Sequence, residues 1–534
     1  MTSQPLYRLA DPTFAEPLVN GWTAWWLNVA PVPACLHLHG YQIPLLRAYL
    51  QTPDFHFKAA KDRALSGSSF VDVPPARAGE VKALLQKMQA DQADCIKLAE
   101  AYEEFQGWLL AEARGQSLEP LYEKLPEPLK GRVELIYDYN NRPFVRFMEG
   151  MFYRSRYYKR NLQSLRLGVL PSDSARSTFL TTPRLHEPGQ LDWQVPFDDE
   201  RLDKLFLLDL EPRPLGYVRE LLGSAVKSDE EVLPLLSEAP LPPPAAPWDG
   251  PTPRVRYLGH ASVLVEWKGV SILVDPVISS RPIAEGLPRV TFQQLPARID
   301  YVLITHNHPD HLDFETLLRL RHRIGHLVMP RSGGLLVGDF NPRLLGLTLG
   351  IRSVHALDTY ESLPLPDGEI LATPFLGEHG DLGHSKSGWL IRAGQEKILL
   401  VADSMCVDDN LYRHLRQDLG DIQTVFMNTE IEGAPHTWTM EGLFPKKRDR
   451  KMEKNRRCRG STRAEGLRLL ELVGARRLYN YAMGLEPWME RIIGPAATAE
   501  TPRMKESDLL LAEFRSRGGT AERLYGATEL RLGN

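Results

Sequence analysis

The chain has 534 residues, 43% apolar and 25% charged, which is ordinary for a globular protein but too long for one core, so two or three domains are expected. Lys plus Arg is 64 against 68 Asp plus Glu, a balance of −4, and this gives no support to a nucleic-acid protein. No apolar run approaches the ~20 residues needed to span a bilayer, and the N-terminus lacks the charged-then-apolar layout of a signal peptide, so a cytoplasmic protein is expected.

In chain order, Trp22, Trp25, Trp26 and Leu27 open an apolar, helical packing segment. One long helix is predicted around Ala78–Ala113, because Val81, Leu84, Leu85 and Met88 repeat at helical spacing and Leu98, Tyr102, Phe105 and Leu109 continue one face. Val133–Met148 reads as two strands joined near Asn140-Asn141. The aromatic run Phe144, Phe147, Phe152, Tyr153, Tyr157 and Tyr158 reads as core, with a self-association surface as the alternative. His37 and His39 imitate a metal pair beside Cys35, but no carboxylate accompanies them, so a structural role is assigned. The four cysteines, Cys35, Cys95, Cys406 and Cys458, form no C-x-x-C and read as free thiols of a reducing compartment.

Seven prolines between Pro240 and Pro253 make a stiff linker, dividing the chain into 1–238, a linker 239–253, and 254–534. Beyond it, short strands are predicted at Val255–Leu258, Ser262–Glu266, Val270–Val274, Tyr301–Ile304, His326–Met329, Ile370–Phe375, Gly388–Arg392, Ile398–Ala402 and Thr424–Met427. Helices near Phe314–Arg323 and Glu506–Arg517 accompany them, a pattern of two sheets flanked by helices.

The chemistry concentrates in Thr305-His306-Asn307-His308-Pro309-Asp310-His311, directly after the strand Tyr301–Ile304. Residues two apart on an extended segment point the same way, so His306 and His308 can grip one metal together. Pro309 then turns the chain, and Asp310 and His311 can reach a second metal nearby, making a centre that activates a small bridging molecule.

Gly259-His260-Ala261, Val274-Asp275-Pro276 and the His306–His311 cluster resemble the metallo-β-lactamase fold. That resemblance implies an αββα sandwich after a mostly helical α+β N-terminal domain, with Asp275 fixing a ligand histidine. Pro374–Leu382, Ala402-Asp403-Ser404, Tyr481–Met489 and Gly518–Leu524 narrow it. These strings resemble the family of dinuclear non-heme iron β-hydroxylases that includes the chloramphenicol-pathway enzyme, over nearly the whole chain.

The resemblance implies two Fe ions that activate O2 and hydroxylate the β-carbon of an aminoacyl thioester. The substrate is carried on a carrier (thiolation) domain of a nonribosomal peptide synthetase. It also implies an external electron donor such as a reductase, and an N-terminal domain serving a homodimer and the partner surface. Carried over by position, one iron takes His306, His308 and Glu378, and the other takes Asp310, His311 and Asp403, with Asp403 a candidate bridge. Glu378 and His379 are adjacent, so only one faces the metals well, and the resemblance selects Glu378.

A hydrolase of this superfamily generally needs a late histidine after a strand near Leu478–Tyr481, yet the last histidine here is His436. Three histidines with three carboxylates suit iron and O2 better than a dizinc site; the alternative kept is a dizinc hydrolase of an ester, lactone or phosphodiester, with His379 as ligand. Glu430, after the strand Thr424–Met427, is either a carboxylate behind the ligands or an ordinary surface residue. The basic run Pro445–Gly460 is either a solvated loop or a docking strip for an acidic carrier and its phosphopantetheine phosphate.

Overall fold

The structure, a computed structural model, describes residues 4–534 except 66, 244–245, 285, 333, 335–336, 380–385, 436–437, 445–456, 496, 531 and 533–534. Two seven-stranded sheets face each other. The first runs Val354–Leu357, Ile324–Pro330, Ile299–Leu303, Val270–Val274, Ser262–Trp267, Arg254–Gly259, Thr528–Leu530. The second runs Ser362–Leu365, Gly368–Thr373, Gly388–Ala393, Glu396–Ala402, Thr424–Met427, Arg477–Asn480, Thr520–Arg523.

Strand alternation explains the layering. Val263 and Val265 point into the core between the sheets, where they join Ile272, Val274, Ile391, Ile398 and Phe426. Leu264 and Leu273, one residue out of phase, point to the opposite face and join a second core containing Trp26, Leu27, Phe206 and Leu317. The helices Asp409–Leu419, Arg463–Val473 and Pro502–Ser516 cover the outer face of the second sheet with Leu415, Leu470 and Leu510. The αββα arrangement is therefore present, and one of its helical layers is shared with the N-terminal domain.

That domain holds a four-stranded antiparallel sheet, ordered Trp22–Thr23, Thr13–Val19, Gln163–Val169, Leu191–Trp193, together with several helices. Residues 133–147 form the expected hairpin, Val133–Tyr137 against Pro143–Phe147. The single helix predicted over Ala78–Ala113 is two, Ala78–Asp91 and Ala93–Glu112. The break falls at Gln92, which leaves helical geometry (φ −123°, ψ 26°) while its buried side chain accepts a hydrogen bond from Asn20. Phe152 and Tyr157 are buried in the core. His37 stacks on Tyr41 (4.9 Å) and His39 faces the Glu103 carboxylate (3.7 Å). The four cysteines are free. No helix among the described residues is long and apolar enough to cross a membrane.

The two halves are fastened by buried ion pairs. Arg319, on the helix Phe314–Leu320, grips Asp209 with Nε (2.7 Å) and Nη2 (2.8 Å), and its Nη1 donates to the Thr13 carbonyl (2.9 Å). Asp209 is fully buried and also accepts from Gln293 (2.7 Å). Removing one partner of such a pair strands the other charge, which is costlier than never having had the pair. Arg319→Met is expected to cost about 3–5 kcal/mol in urea unfolding. Arg319→Met combined with Asp209→Leu should recover most of that loss. A single-variant cost within about 0.5 kcal/mol of zero would show that the pair does not hold the halves together.

Candidate metal centre

The site lies where strands of both sheets end. Four non-glycine residues there have left-handed backbones: His260 (φ +50°), Asp275 (+41°), Ala402 (+48°) and Ala482 (+53°). Such conformations cost about 1–3 kcal/mol each and persist only where the surroundings impose them. Each turns the chain sharply after its strand, so that short loops from four strands converge.

The histidine loop follows Ile299–Leu303. His306 is extended and makes an isolated antiparallel bridge with Lys386. The amides of His311 (3.0 Å) and Leu312 (2.8 Å) both donate to the His308 carbonyl, so the chain turns tightly at Pro309. That turn brings His311 back over His306, with ring centroids 4.1 Å apart. Asp275 anchors the loop: Oδ1 accepts from Thr305 N–H (2.7 Å), and Oδ2 accepts from Thr305 Oγ1 (2.6 Å) and His311 Nδ1 (2.8 Å). His311 therefore carries its proton on Nδ1 and turns Nε2 toward Asp403 Oδ2 (3.1 Å) and Asp310 Oδ2 (3.7 Å). The N-terminal domain holds the same loop, because the fully buried Trp26 donates Nε1–H to the Asn307 carbonyl (2.8 Å).

Three sets of side chains bring ligand atoms within 4.8 Å of one another: His306, His308 and His379; His306, His311 and Asp403; and His260, Asp310 and His311. Of the six ligands expected, His306, His308, Asp310, His311 and Asp403 are gathered here. Glu378 is exposed, on the side of Arg459, and its neighbour His379 is buried and faces the cluster. His379 Nδ1 donates to the Cys458 carbonyl (3.1 Å), leaving Nε2 for the site. Lys386 holds this segment through the Gly377 carbonyl (2.6 Å). Asp403 Oδ1 accepts from Asn428, so Oδ2 is the oxygen turned inward.

Glu430 is engaged elsewhere. Its carboxylate binds Arg503 (2.7 Å) and the amides of Glu432 (3.0 Å) and Gly433 (3.1 Å). In the basic run, 445–456 lies outside the described residues, while Arg457 and Cys458 pair with Pro435 and Ala434 beside the site. His260 was noted only as part of a fold motif; its spacing from the cluster carries no signal, since the sheet brings it in from 46 residues away in sequence.

The electrostatics fit metal binding. Burial and the neighbouring histidines hold His306 well below the usual imidazole range and push His308 down to about 3, so both keep free lone pairs at neutral pH. Burial opposes ionisation of Asp310 and Asp403, but nearby histidine charge outweighs it and both carboxyls stay low. Burial also opposes charge on His311, yet Asp310 and Asp275 outweigh it and raise this imidazole. His306 Nε2 and Asp403 Oδ2 are buried, 3.7 Å apart, and neither makes a hydrogen bond. Orphaned polar atoms of this kind are costly unless something binds them, and imidazole plus carboxylate is a donor set for a divalent metal. Asp275→Asn should leave the fold intact but weaken metal affinity about 10–100-fold by releasing the His311 tautomer. Titration of the apo-protein with Fe(II) checks this, and unchanged affinity would remove Asp275 from the account.

Known proteins supply an independent comparison. A family model described as the diiron non-heme beta-hydroxylase N-terminal domain matches residues 8–240, and a beta-lactamase superfamily domain model matches 271–479. The 4-amino-L-phenylalanyl-CmlP-peptidyl-carrier-protein 3-hydroxylase of Streptomyces venezuelae is 35% identical, over 98% of this chain and 100% of its own. The crystal structure of CmlA, a diiron beta-hydroxylase from the same organism, superposes with a TM-score of 0.91 at 33% identity, covering 99% of this chain and 100% of that one. A glutamate-to-aspartate mutant of CmlA superposes at 0.89 with 32% identity, covering 98% and 100%.

Proposed function

This chain belongs to the diiron non-heme β-hydroxylase family, and from that membership we propose that it hydroxylates the β-carbon of an aminoacyl group held as a thioester on a peptidyl-carrier domain. It is a non-heme diiron oxygenase, with two iron ions and O2 as its cofactor and co-substrate. The full-length similarity to a 3-hydroxylase of a carrier-bound amino acid is the observation that carries the substrate class. The dizinc hydrolase reading is not favoured: the relatives similar over the whole chain are hydroxylases.

The residues fit the metal pair. His306 and His308 would serve one iron, and Asp310, His311 and Asp403 the other. Bound there, the irons supply the reductive activation of O2 that inserts one oxygen atom into a C–H bond. The balance is R–H plus O2 plus two electrons and two protons, giving R–OH and water. We assign the electrons to an external donor. The chain's own part is to keep His306 and His308 neutral, to fix the His311 tautomer, and to keep water from the buried ligands. Self-association through the N-terminal domain and a cytoplasmic setting complete the proposal, the latter in keeping with four free thiols.

For the remaining ligand beside His306 and His308 we propose Glu378. A hard oxygen donor suits iron handling O2. On this reading Glu378 would hold that iron in place of His379. Glu378→Ala should lose one iron by elemental analysis, while His379→Ala keeps both. The opposite pattern would make His379 the ligand, as the metal-free geometry favours.

The activity itself is tested by one aerobic turnover. Reduced, iron-loaded enzyme is mixed with a carrier domain bearing an aromatic aminoacyl thioester, and the acyl group is weighed by mass spectrometry. Gain of one oxygen atom, placed at the β-carbon by fragmentation, is the expected result. No gain across a panel of loaded amino acids would sink the proposal.

A further inference from the structure

We infer that His260 is a positioning residue: it aims the Asp310 carboxylate at the second metal position through an Nε2–H whose place on the ring is imposed by the backbone of Gly484. The inference rests on the reading of Asp310 as a ligand. His260 is buried, and both of its ring nitrogens are engaged. The Gly484 amide lies 3.2 Å from Nδ1, and Asp310 Oδ2 lies 3.2 Å from Nε2. A backbone amide only donates, so Nδ1 must offer a lone pair. The proton of a neutral imidazole then sits on Nε2 and points at the carboxylate.

Although His260, Asp310 and His311 cluster closely enough to hold a metal, the Nε2 lone pair of His260 is occupied by a proton. His260 therefore donates through Nε2, whereas His311 and His379 place Nδ1–H against Asp275 and the Cys458 carbonyl. The device is built into the backbone. The Ala482 amide also donates to the His260 carbonyl (2.8 Å), tying the late loop to this turn at two points. Gly484 has φ +62°, a conformation glycine adopts without strain, and a Cβ there would crowd the end of the Ile493 side chain. The late loop thus serves the metal site through a main-chain N–H rather than through a side chain of its own.

The test compares His260→Ala, His260→Gln and Asp310→Ala by anaerobic Fe(II) titration and by the optical spectrum of the oxidised iron pair. His260→Ala should weaken one of the two irons about 10–100-fold and shift the spectrum. His260→Gln, whose side-chain amide N–H reaches the same place, should return affinity to within about threefold of the parent. Nitrogen-15 chemical shifts of the histidine rings in the unsubstituted protein should report an Nε2–H tautomer for His260, a readout that does not depend on a variant folding. An Nδ1–H tautomer, or His260→Ala binding both irons as the parent does, would overturn the inference. If Asp310→Ala also keeps both irons, the ligand set falls with it; if Asp310→Ala loses one, only the role of His260 falls.

Discussion

The site depends first on one buried carboxylate. Asp275 accepts three hydrogen bonds, two from Thr305 and one from His311, and has no exposed surface. Leaving water costs a carboxylate several kcal/mol unless donors replace the solvent, and these three donors do so. In return the loop 305–311 has one register and His311 one tautomer. The left-handed backbone at Asp275 itself, immediately after Val270–Val274, lets the side chain turn back under the neighbouring parallel strand. Strain in the main chain is exchanged for aim in a side chain, and the same exchange recurs at His260, Ala402 and Ala482.

The N-terminal half is part of this aim. Its core is continuous with the outer face of the first sheet, so Trp26, Leu264 and Leu317 belong to one apolar cluster. Trp26 reaches the histidine loop directly, and Phe340 packs on the Trp26 ring (5.1 Å) from the other side of the domain boundary. A loop carrying three histidines and a carboxylate would repel and wander when metal-free; a buried indole on its carbonyl and Asp275 beneath its amide hold it from both ends. Buried pairs such as Arg319–Asp209 and Arg491–Asp313 span the halves or brace the following helix, so their geometry is coupled to that of the ligands.

The metal loop was legible in the sequence because its information is local. The rings of His306 and His308 come together, 4.8 Å apart, across a bend at 307–308 rather than along an extended segment, and the turn at Pro309 returns His311. The strands of the second half were legible for a similar reason, since apolar residues in runs of four to six need a sheet buried on both faces. Distant pairings were not. The strand Thr13–Val19 lies against Gln163–Val169, and no local pattern announces a partner 150 residues away. Gln92 interrupts a helical repeat that is otherwise continuous, and it does so to meet Asn20, again a distant contact. Glu378 and His379 show the limit most plainly. Adjacent residues on an extended segment face opposite ways, but which of them faces inward depends on the Cys458 carbonyl and Lys386, neither of which the spacing reveals.

Histidine counting is therefore a poor guide to such a centre, because the ring's role is set by the atom opposite its other nitrogen. A carboxylate on Nδ1, as at His311, takes the proton there and turns Nε2 toward Asp310 and Asp403. An amide N–H on Nδ1, as at His260, does the reverse and makes the ring a donor. His260 meets His311 edge-on with centroids 5.5 Å apart. Local charge alone would treat them alike. What separates them is the group opposite Nδ1: the Asp275 carboxylate at His311, the Cys458 carbonyl at His379 and the Gly484 amide at His260.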